Sequence, residues 1–456
     1  MRFQSLTRRT ILLVLSLFAL LSGGISSAFA KTTAGKAAIQ TVSLKHETQA
    51  QTASTEPHTT ANACPNANTG AEVNFYSTKE ENAGATAMAN ACICGAVPTD
   101  APATCARSVY LTDYDTGTAL YENNADEKRP IASMCKIMTL NLTFDAIDRG
   151  EFTLDDEIPV SEHAASMGGS QAFLRARENY RVFDLIKSVV VASANDASVA
   201  LAERVSGSHD AFVSDMNRKA EELGMHDTVF KNCTGLPKPG QFSTARDVSR
   251  MLKALLGHTD YYRFSGIRLD KINHADGKYT ELVNTNKLAR SYAGCDGGKT
   301  GFTDEAKFCL AATAKRGDLR LISVVIGAED SKTRFSDSAK LLDYGFANFE
   351  NVRVLSKTDG QGSVPVRGGK EDSAEVFPAS DAYYLKRRGE KAEISTECRL
   401  FPVVAPAPCG TEAGQIVVFV NGKETRTVPL VIASTQQKAT YFDALKKVTE
   451  RFSLIG

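Results

Sequence analysis

The spacing of apolar residues changes several times along this chain, and each change predicts a different kind of structure. An unbroken apolar run, "ILLVLSLFALL" (11–21), comes first. From Lys31 to about Thr104 large apolar groups thin out among Ala, Thr, Asn, Gly and Ser. Such a stretch buries too little surface to offset its ordering entropy, which predicts a flexible spacer. "SVYLTDYDTGTALYENN" (108–124) then predicts two strands around Asp115-Thr116-Gly117. Pro130 suits a helix start and Gly150 a helix stop, so a helix is expected between them. "VFDLIKSVVVASANDASVALAERVSG" (182–207) predicts one or two apolar helices, and "DAFVSDMNRKAEELGM" (210–225) an amphipathic one. "FCLAATAKRGDLRLISVVIGA" (308–328) reads as two strands joined at Arg316-Gly317-Asp318, and "SDSAKLLDYGFANF" (336–349) as a closing helix. Strands first and last with helices between predict an α+β domain.

After Asn351 short β-rich runs dominate. "IVVFVNGKETRTVPLVI" is a hairpin built on Asn421-Gly422, and a small separate β domain is expected over about 352–433. The last segment places Tyr441, Phe442, Leu445, Val448, Phe452 and Ile455 at helical spacing, with Lys446, Lys447, Glu450 and Arg451 on the other face. That periodicity fits equally a helix lying in a membrane interface and a helix docked on its own domain.

Length and composition narrow the function. At 456 residues the chain exceeds one ordinary domain. With 53 basic against 53 acidic residues it lacks the basic surplus of a nucleic-acid binder. Arg2, Arg8 and Arg9 ahead of the first apolar run, and small residues at Ala28 and Ala30, read as a secretory signal peptide over 1–30. Without it the chain holds 50 basic and 53 acidic residues. Export makes the ten cysteines potential disulfide partners, and local pairing of Cys398 with Cys409 is expected, while Cys64, Cys92, Cys94 and Cys105 lie in or beside the spacer. Cys92-x-Cys94 is too tight for the usual zinc spacing and has no histidine pair.

Three short motifs carry the chemistry. Ser133-Met134-Cys135-Lys136 sets a serine and a lysine three positions apart at an expected helix start, on one face. There the Ser133 N–H is free of an intrahelical partner and suits an oxyanion. Ser193-Ala194-Asn195 follows in an apolar helical stretch, and Lys299-Thr300-Gly301 stands ahead of an expected strand. A buried Lys136 next to a second cation, Lys299, would lose proton affinity and take the Ser133 proton. Asn195 would offer its amide to a peptide carbonyl, and Ser193 would pass a proton to the leaving amine. Lys299 and Thr300 would hold a carboxylate, and Gly301 would let a substrate strand lie close.

In this order and spacing the motifs are those of penicillin-recognising serine enzymes. The chain resembles the low-molecular-mass penicillin-binding proteins that are D-alanyl-D-alanine carboxypeptidases, of the clostridial and bacillar type. "SEHAASMGGSQAFL" (161–174), "ASANDASVALAE" (192–203), "NCTGLPKPGQFSTARD" (232–247), "DGGKTGFTDEAKFCLAATAKR" (296–316) and "KLLDYGFANFENV" (340–352) carry the resemblance, over roughly 105–456. It implies a penicillin-binding/β-lactamase-like domain at 105–351, an antiparallel sheet flanked by helices with a helical subdomain. A C-terminal β domain at 352–433 and an amphipathic membrane-associating helix at 434–456 would follow.

The resemblance further implies Ser133 as acylated nucleophile, Lys136 as its base, and Ser193 and Asn195 lining the site opposite. Lys299 with Thr300 would bind the terminal D-alanine carboxylate, the N–H groups of Ser133 and Phe302 would form the oxyanion hole, and Arg334 would stand near the carboxylate. The reaction implied trims peptidoglycan stem peptides outside the cytoplasm, without metal or cofactor, and is inhibited by β-lactams. Where relatives read Ser-Leu-Thr-Lys this chain has Met134 and Cys135; Thr234 replaces a histidine of several relatives, and "LRARENYRV" (174–182) replaces a Pro-Gly-Glu turn. A serine β-lactamase would need a placed carboxylate, for which Glu162 and Glu178 are the candidates in the right stretch. A non-catalytic wall-binding relative is the other alternative, and endopeptidase or transpeptidase action lies between.

Overall fold

The computed structural model describes residues 43–45 and 101–453, with side chains over 101–450. The signal-peptide reading of 1–30 and most of the spacer therefore lie outside the described residues. The described residues divide into two compact units, one holding 101–354 and 382–391, the other 43–45, 355–381 and 392–453.

The larger unit is built on a five-stranded antiparallel sheet. Its strands are β1 (Ser108–Asp113), β2 (Ala119–Asn123), β3 (Cys295–Thr303), β4 (Lys307–Arg316) and β5 (Leu319–Ala328), in the order β2-β1-β5-β4-β3. The turns at Asp115-Thr116-Gly117 and Arg316-Gly317-Asp318 close two of its hairpins, as their turn chemistry predicts: Gly117 and Gly317 both take positive φ. β4 and β5 read as nearly continuous apolar runs because both sheet faces are covered. Leu310, Ala312, Leu321 and Val325 face helix α6 (Ser331–Asn348) with its Leu341, Leu342 and Phe346. Ala311, Ile322, Val324 and Ile326 face the other way, into the main helical core.

That core contains α1 (Lys136–Asp148), α2 (Val182–Ala192), α3 (Asn195–Ser206), α4 (His209–Glu222) and α5 (Ala245–Leu256). Capping decides where several of these begin. Ser208 accepts from Ala211 N ahead of α4, and Thr244 from Asp247 N ahead of α5. Asp330 accepts from Lys332 N and Thr333 N, both at 2.8 Å, and so starts α6 five residues before the apolar pattern at Ser336 becomes evident. The apolar stretch 182–207 is two helices rather than one, broken at Ser193, whose φ is +62°. An antiparallel hairpin, Leu269–Asn273 with Tyr279–Val283, precedes β3.

In the smaller unit a seven-stranded sheet includes the Glu412–Val420/Lys423–Ile432 hairpin, turning on Asn421 (φ +51°) and Gly422 (φ +75°). Ser43–Lys45, inside the expected spacer, pairs antiparallel with Ser395–Glu397 in this sheet. Residues 382–391, inside the expected β domain, group instead with the larger unit, where Lys386 reaches Glu350 at 3.0 Å. The pairing expected of Cys398 and Cys409 is not made; both are free. Cys398 lies mid-strand opposite Ile416, whereas the exposed Cys409 thiol donates to Ala433 O at 3.3 Å. Helix α7 (Tyr441–Ser453) closes the described chain, with Lys447 Nζ 2.6 Å from Asp372 and 3.0 Å from Gly369 O. Tyr441, Phe442, Leu445 and Val448 on it are exposed.

Candidate active site

Ser133 does not sit on the first turn of α1, as its spacing suggested, but on a 3₁₀ turn, Ala132–Cys135, that feeds into it. A 3₁₀ turn brings residues i and i+3 almost into line. Ser133 and Lys136 exploit this: Lys136 Nζ donates to Ser133 Oγ at 2.9 Å. The turn begins with Ala132 at φ +46°, a left-handed conformation that costs a Cβ-bearing residue about 1–2 kcal/mol. Two glycine backbones hold it there. A Cβ on Gly235 would collide with Ala132 O, and one on Gly301 would lie 2.7 Å from Ile131 O and 3.2 Å from Ser133 N. β3 therefore runs directly beside Ser133.

Lys136 is fully buried, and its second contact is Thr234 O at 2.5 Å. Lys299 and Thr300 are buried within β3 itself, not ahead of a strand. Lys299 Nζ donates to Ser193 Oγ at 2.7 Å, which ties the second and third motifs together. Thr300 Oγ1 donates to Thr285 Oγ1 at 2.7 Å. Asn195 opens α3; its Nδ2 donates to Gly168 O at 2.6 Å, and its Oδ1 is buried without a hydrogen-bond partner. Gly168 O can be met only by the nitrogen end of the amide, so the amide's orientation is decided. Phe302, half-exposed, packs against Phe308 with tilted rings whose centroids are 4.4 Å apart. Arg334 is no ordinary surface arginine: it is 9% exposed, donates to Gly301 O at 3.1 Å, and lies over Phe308 and Phe335.

Burial sets the electrostatics. It lowers the Lys136 pKa to about 8, against smaller opposing contributions from Cys135, Cys233 and Asp196. The neighbouring cation expected to do this is not the main cause. Lys299 is pushed well below its ordinary value, first by burial, then by Lys136 and Arg334. Burial pushes the Cys135 and Cys233 thiols up, so both are neutral packing groups.

All the sequence-predicted residues thus gather around Ser133, Ser193 and β3. Missed by sequence reasoning were the carbonyl of Thr234, the strained Ala132, Thr285 behind Thr300, and Tyr261, whose hydroxyl accepts from Gly298 N at 2.9 Å. Main-chain contacts of this kind leave no mark in composition, although Gly235 in "NCTGL" was a visible signal of close approach. Glu162 and Glu178 are engaged elsewhere: Glu162 pairs with Arg177 at 2.6 Å, and Glu178 accepts from Tyr180 at 2.8 Å. Among the described residues no three His, Cys, Asp or Glu side chains converge as metal ligands.

Residues 95–330 match a family model described as D-alanyl-D-alanine carboxypeptidase, and residues 349–438 one described as the penicillin-binding protein 5 C-terminal domain. The chain is 40% identical over 344 residues to the D-alanyl-D-alanine carboxypeptidase DacF of Bacillus subtilis (strain 168), covering 75% of this chain and 88% of that protein. It is 34% identical to DacC of Escherichia coli (strain K12), over 75% of this chain and 87% of that protein. The crystal structure of penicillin binding protein 5 from Haemophilus influenzae is similar with a TM-score of 0.59 at 30% identity, covering 75% of this chain and 100% of that one.

Proposed function

The chain belongs to the D-alanyl-D-alanine carboxypeptidase family of serine peptidases, and from that premise we propose which residues perform the reaction and where. The enzyme removes the terminal D-alanine of peptidoglycan stem peptides. Ser133 is the nucleophile. Its proton passes to Lys136 as Oγ attacks the carbonyl carbon of the penultimate D-alanine, and the oxyanion is held by the N–H groups of Ser133 and Phe302. The C–N bond then breaks, the leaving amine takes a proton from Lys136 by way of Ser193, and D-alanine departs. Water cleaves the remaining ester, returning the proton to Ser133 and releasing the shortened peptide as its carboxylate.

Lys299 and Thr300, with Arg334 bracing Gly301 O from behind, hold the substrate carboxylate. Gly301 admits the substrate backbone alongside β3. Asn195 faces the substrate amide. The observation that carries this reading is the 2.9 Å contact between Ser133 Oγ and a buried Lys136 Nζ whose proton affinity is lowered. A penicillin acylates the same oxygen and leaves a stable ester. The enzyme works at the outer face of the cell membrane: the segment 1–30 exports it, and α7 rests its exposed Tyr441, Phe442, Leu445 and Val448 in the lipid interface. A catalytic domain over 105–351 joined by 382–391, a β domain over the rest of 352–433 that takes Ser43–Lys45 into its sheet, and the helical segment 434–456 serve this arrangement.

Ser133→Ala tests the assignment. The purified variant is expected to release no D-alanine from a pentapeptide and to bind no fluorescent penicillin, with an unchanged unfolding midpoint. Retention of either activity would mean that another residue is the nucleophile.

A further inference from the structure

Residues 168–174, "GGSQAFL", cross the Ser-Ala-Asn corner as a strap, and the residue that holds them is the next one in the chain. Asp196 is 1% exposed, and among the described residues it makes no ion pair. Its carboxylate is met only by main-chain donors: Ala172 N at 3.0 and 3.1 Å, Leu174 N at 3.0 Å and Ala197 N at 2.8 Å. For Ala172 and Leu174 to aim their N–H groups at one carboxylate, the residue between them must turn aside. Phe173 does so, at φ +57°, and is 63% exposed. A bulky residue in the left-handed region is strained and persists only where its surroundings fix it.

The strap is also bound to the preceding residue. Asn195 N donates to Ser170 O at 2.7 Å and Asn195 Nδ2 to Gly168 O at 2.6 Å. Gly169 lies so close that a Cβ there would come 2.8 Å from Asn195 Nδ2. The Asn195 amide is thus oriented by a segment that is itself oriented by Asp196. We propose that Asp196 is a positioning residue for acylation: its buried carboxylate ties the strap 168–174 over the Asn195 amide and fixes which end of that amide meets the substrate. The same anion stands in the electrostatic surroundings of Lys136, where it favours the protonated amine.

This rests on the catalytic reading above, and two substitutions separate it from that reading and from a general loss of fold. Asp196→Asn replaces an acceptor with a group that presents N–H to N–H. Its second-order rate of acylation by a fluorescent penicillin should fall up to about a hundredfold, as misplacement of a substrate-contacting group does. Its acid limb should also move to lower pH, because an anion near Lys136 is gone. Gly169→Ala keeps the anion but displaces the amide, so its rate should fall with the acid limb unmoved. Wild-type rates in both variants would overturn the proposal. If Asp196→Asn shows no cooperative unfolding transition, Gly169→Ala decides: slowed acylation at a near-normal unfolding midpoint supports the strap, and an unchanged rate refutes it. A wild-type protein that takes up no penicillin would instead refute the catalytic reading.

Discussion

As the proposed nucleophile, Ser133 would need an uncharged amine, and burial of Lys136, rather than crowding by cations, is what lowers that amine's pKa. With the pKa lowered to about 8, the amine is mostly protonated at pH 7 and mostly neutral above pH 9. The sign follows directly: a base with a depressed pKa gains its active form as pH rises through that value. Acylation by a fluorescent penicillin should therefore speed up with pH along a limb centred near 8, and a flat profile between about pH 6 and 9 would contradict a lysine base. Lys136→Met should slow acylation roughly 10²–10⁴-fold, the usual contribution of a positioned base, measured by single-turnover labelling. The proposed set Ser133, Lys136, Ser193, Asn195, Lys299 and Thr300 was legible because its three motifs stand in the order and spacing of a known enzyme family. Thr234 was not, since its contribution is a carbonyl, which every residue has. Arg334 gave only a weak signal in the sequence; its contact with Gly301 O depends on α6 packing against β4 and β5, from where the side chain reaches β3.

At the level of elements, the site depends on strand β3 pressing against the turn that carries Ser133. Gly301→Ala would set a methyl against Ile131 O and Ser133 N. It should destabilise the protein by about 1–3 kcal/mol, the usual cost of overpacking, and slow acylation as the turn shifts. Denaturant unfolding and penicillin labelling together check this; full stability with full labelling would mean that the strand is more yielding than the contact implies. Hairpins with strong turn residues, such as those at Asp115-Thr116-Gly117 and Asn421-Gly422, were legible from local chemistry. β3 was placed too late because its opening "CDGG" is glycine-rich, and propensity discounts such a strand. Its backbone is held instead by pairing with β4 and by Tyr261 and Asn286, neither adjacent in sequence. The early start of α6 was missed for a simpler reason: its first turn is defined by the Asp330 cap, not by apolar spacing.

For the whole molecule, the sequence separated a chemical unit from a β-rich one, because motif and composition change near Asn351. It did not show the return of 382–391 to the larger unit, where Lys386 contacts Glu350 across a separation of 36 positions. Periodicity alone did not decide between docking and membrane contact for α7, and only the family resemblance favoured the membrane. Docking is what the contacts show: Lys447 is tied to Asp372, while Tyr441 and Phe442 stand more than two-thirds exposed. Among the described residues no helix is long and apolar enough to cross a membrane, so attachment through α7 would be interfacial. Removing residues 439–456 should abolish cosedimentation with anionic lipid vesicles while D-alanine release from a soluble pentapeptide is unchanged. Equal cosedimentation of the shortened and full chains would assign that helix to docking alone.

The central claim, an ester formed on one particular serine, is tested most directly by peptide mapping. The protein is incubated with a penicillin, quenched, digested and analysed by mass spectrometry. The mass of the intact antibiotic should appear on the peptide containing Ser133, on that hydroxyl, and should vanish in Ser133→Ala. An adduct on any other residue, or none at all, would contradict the account.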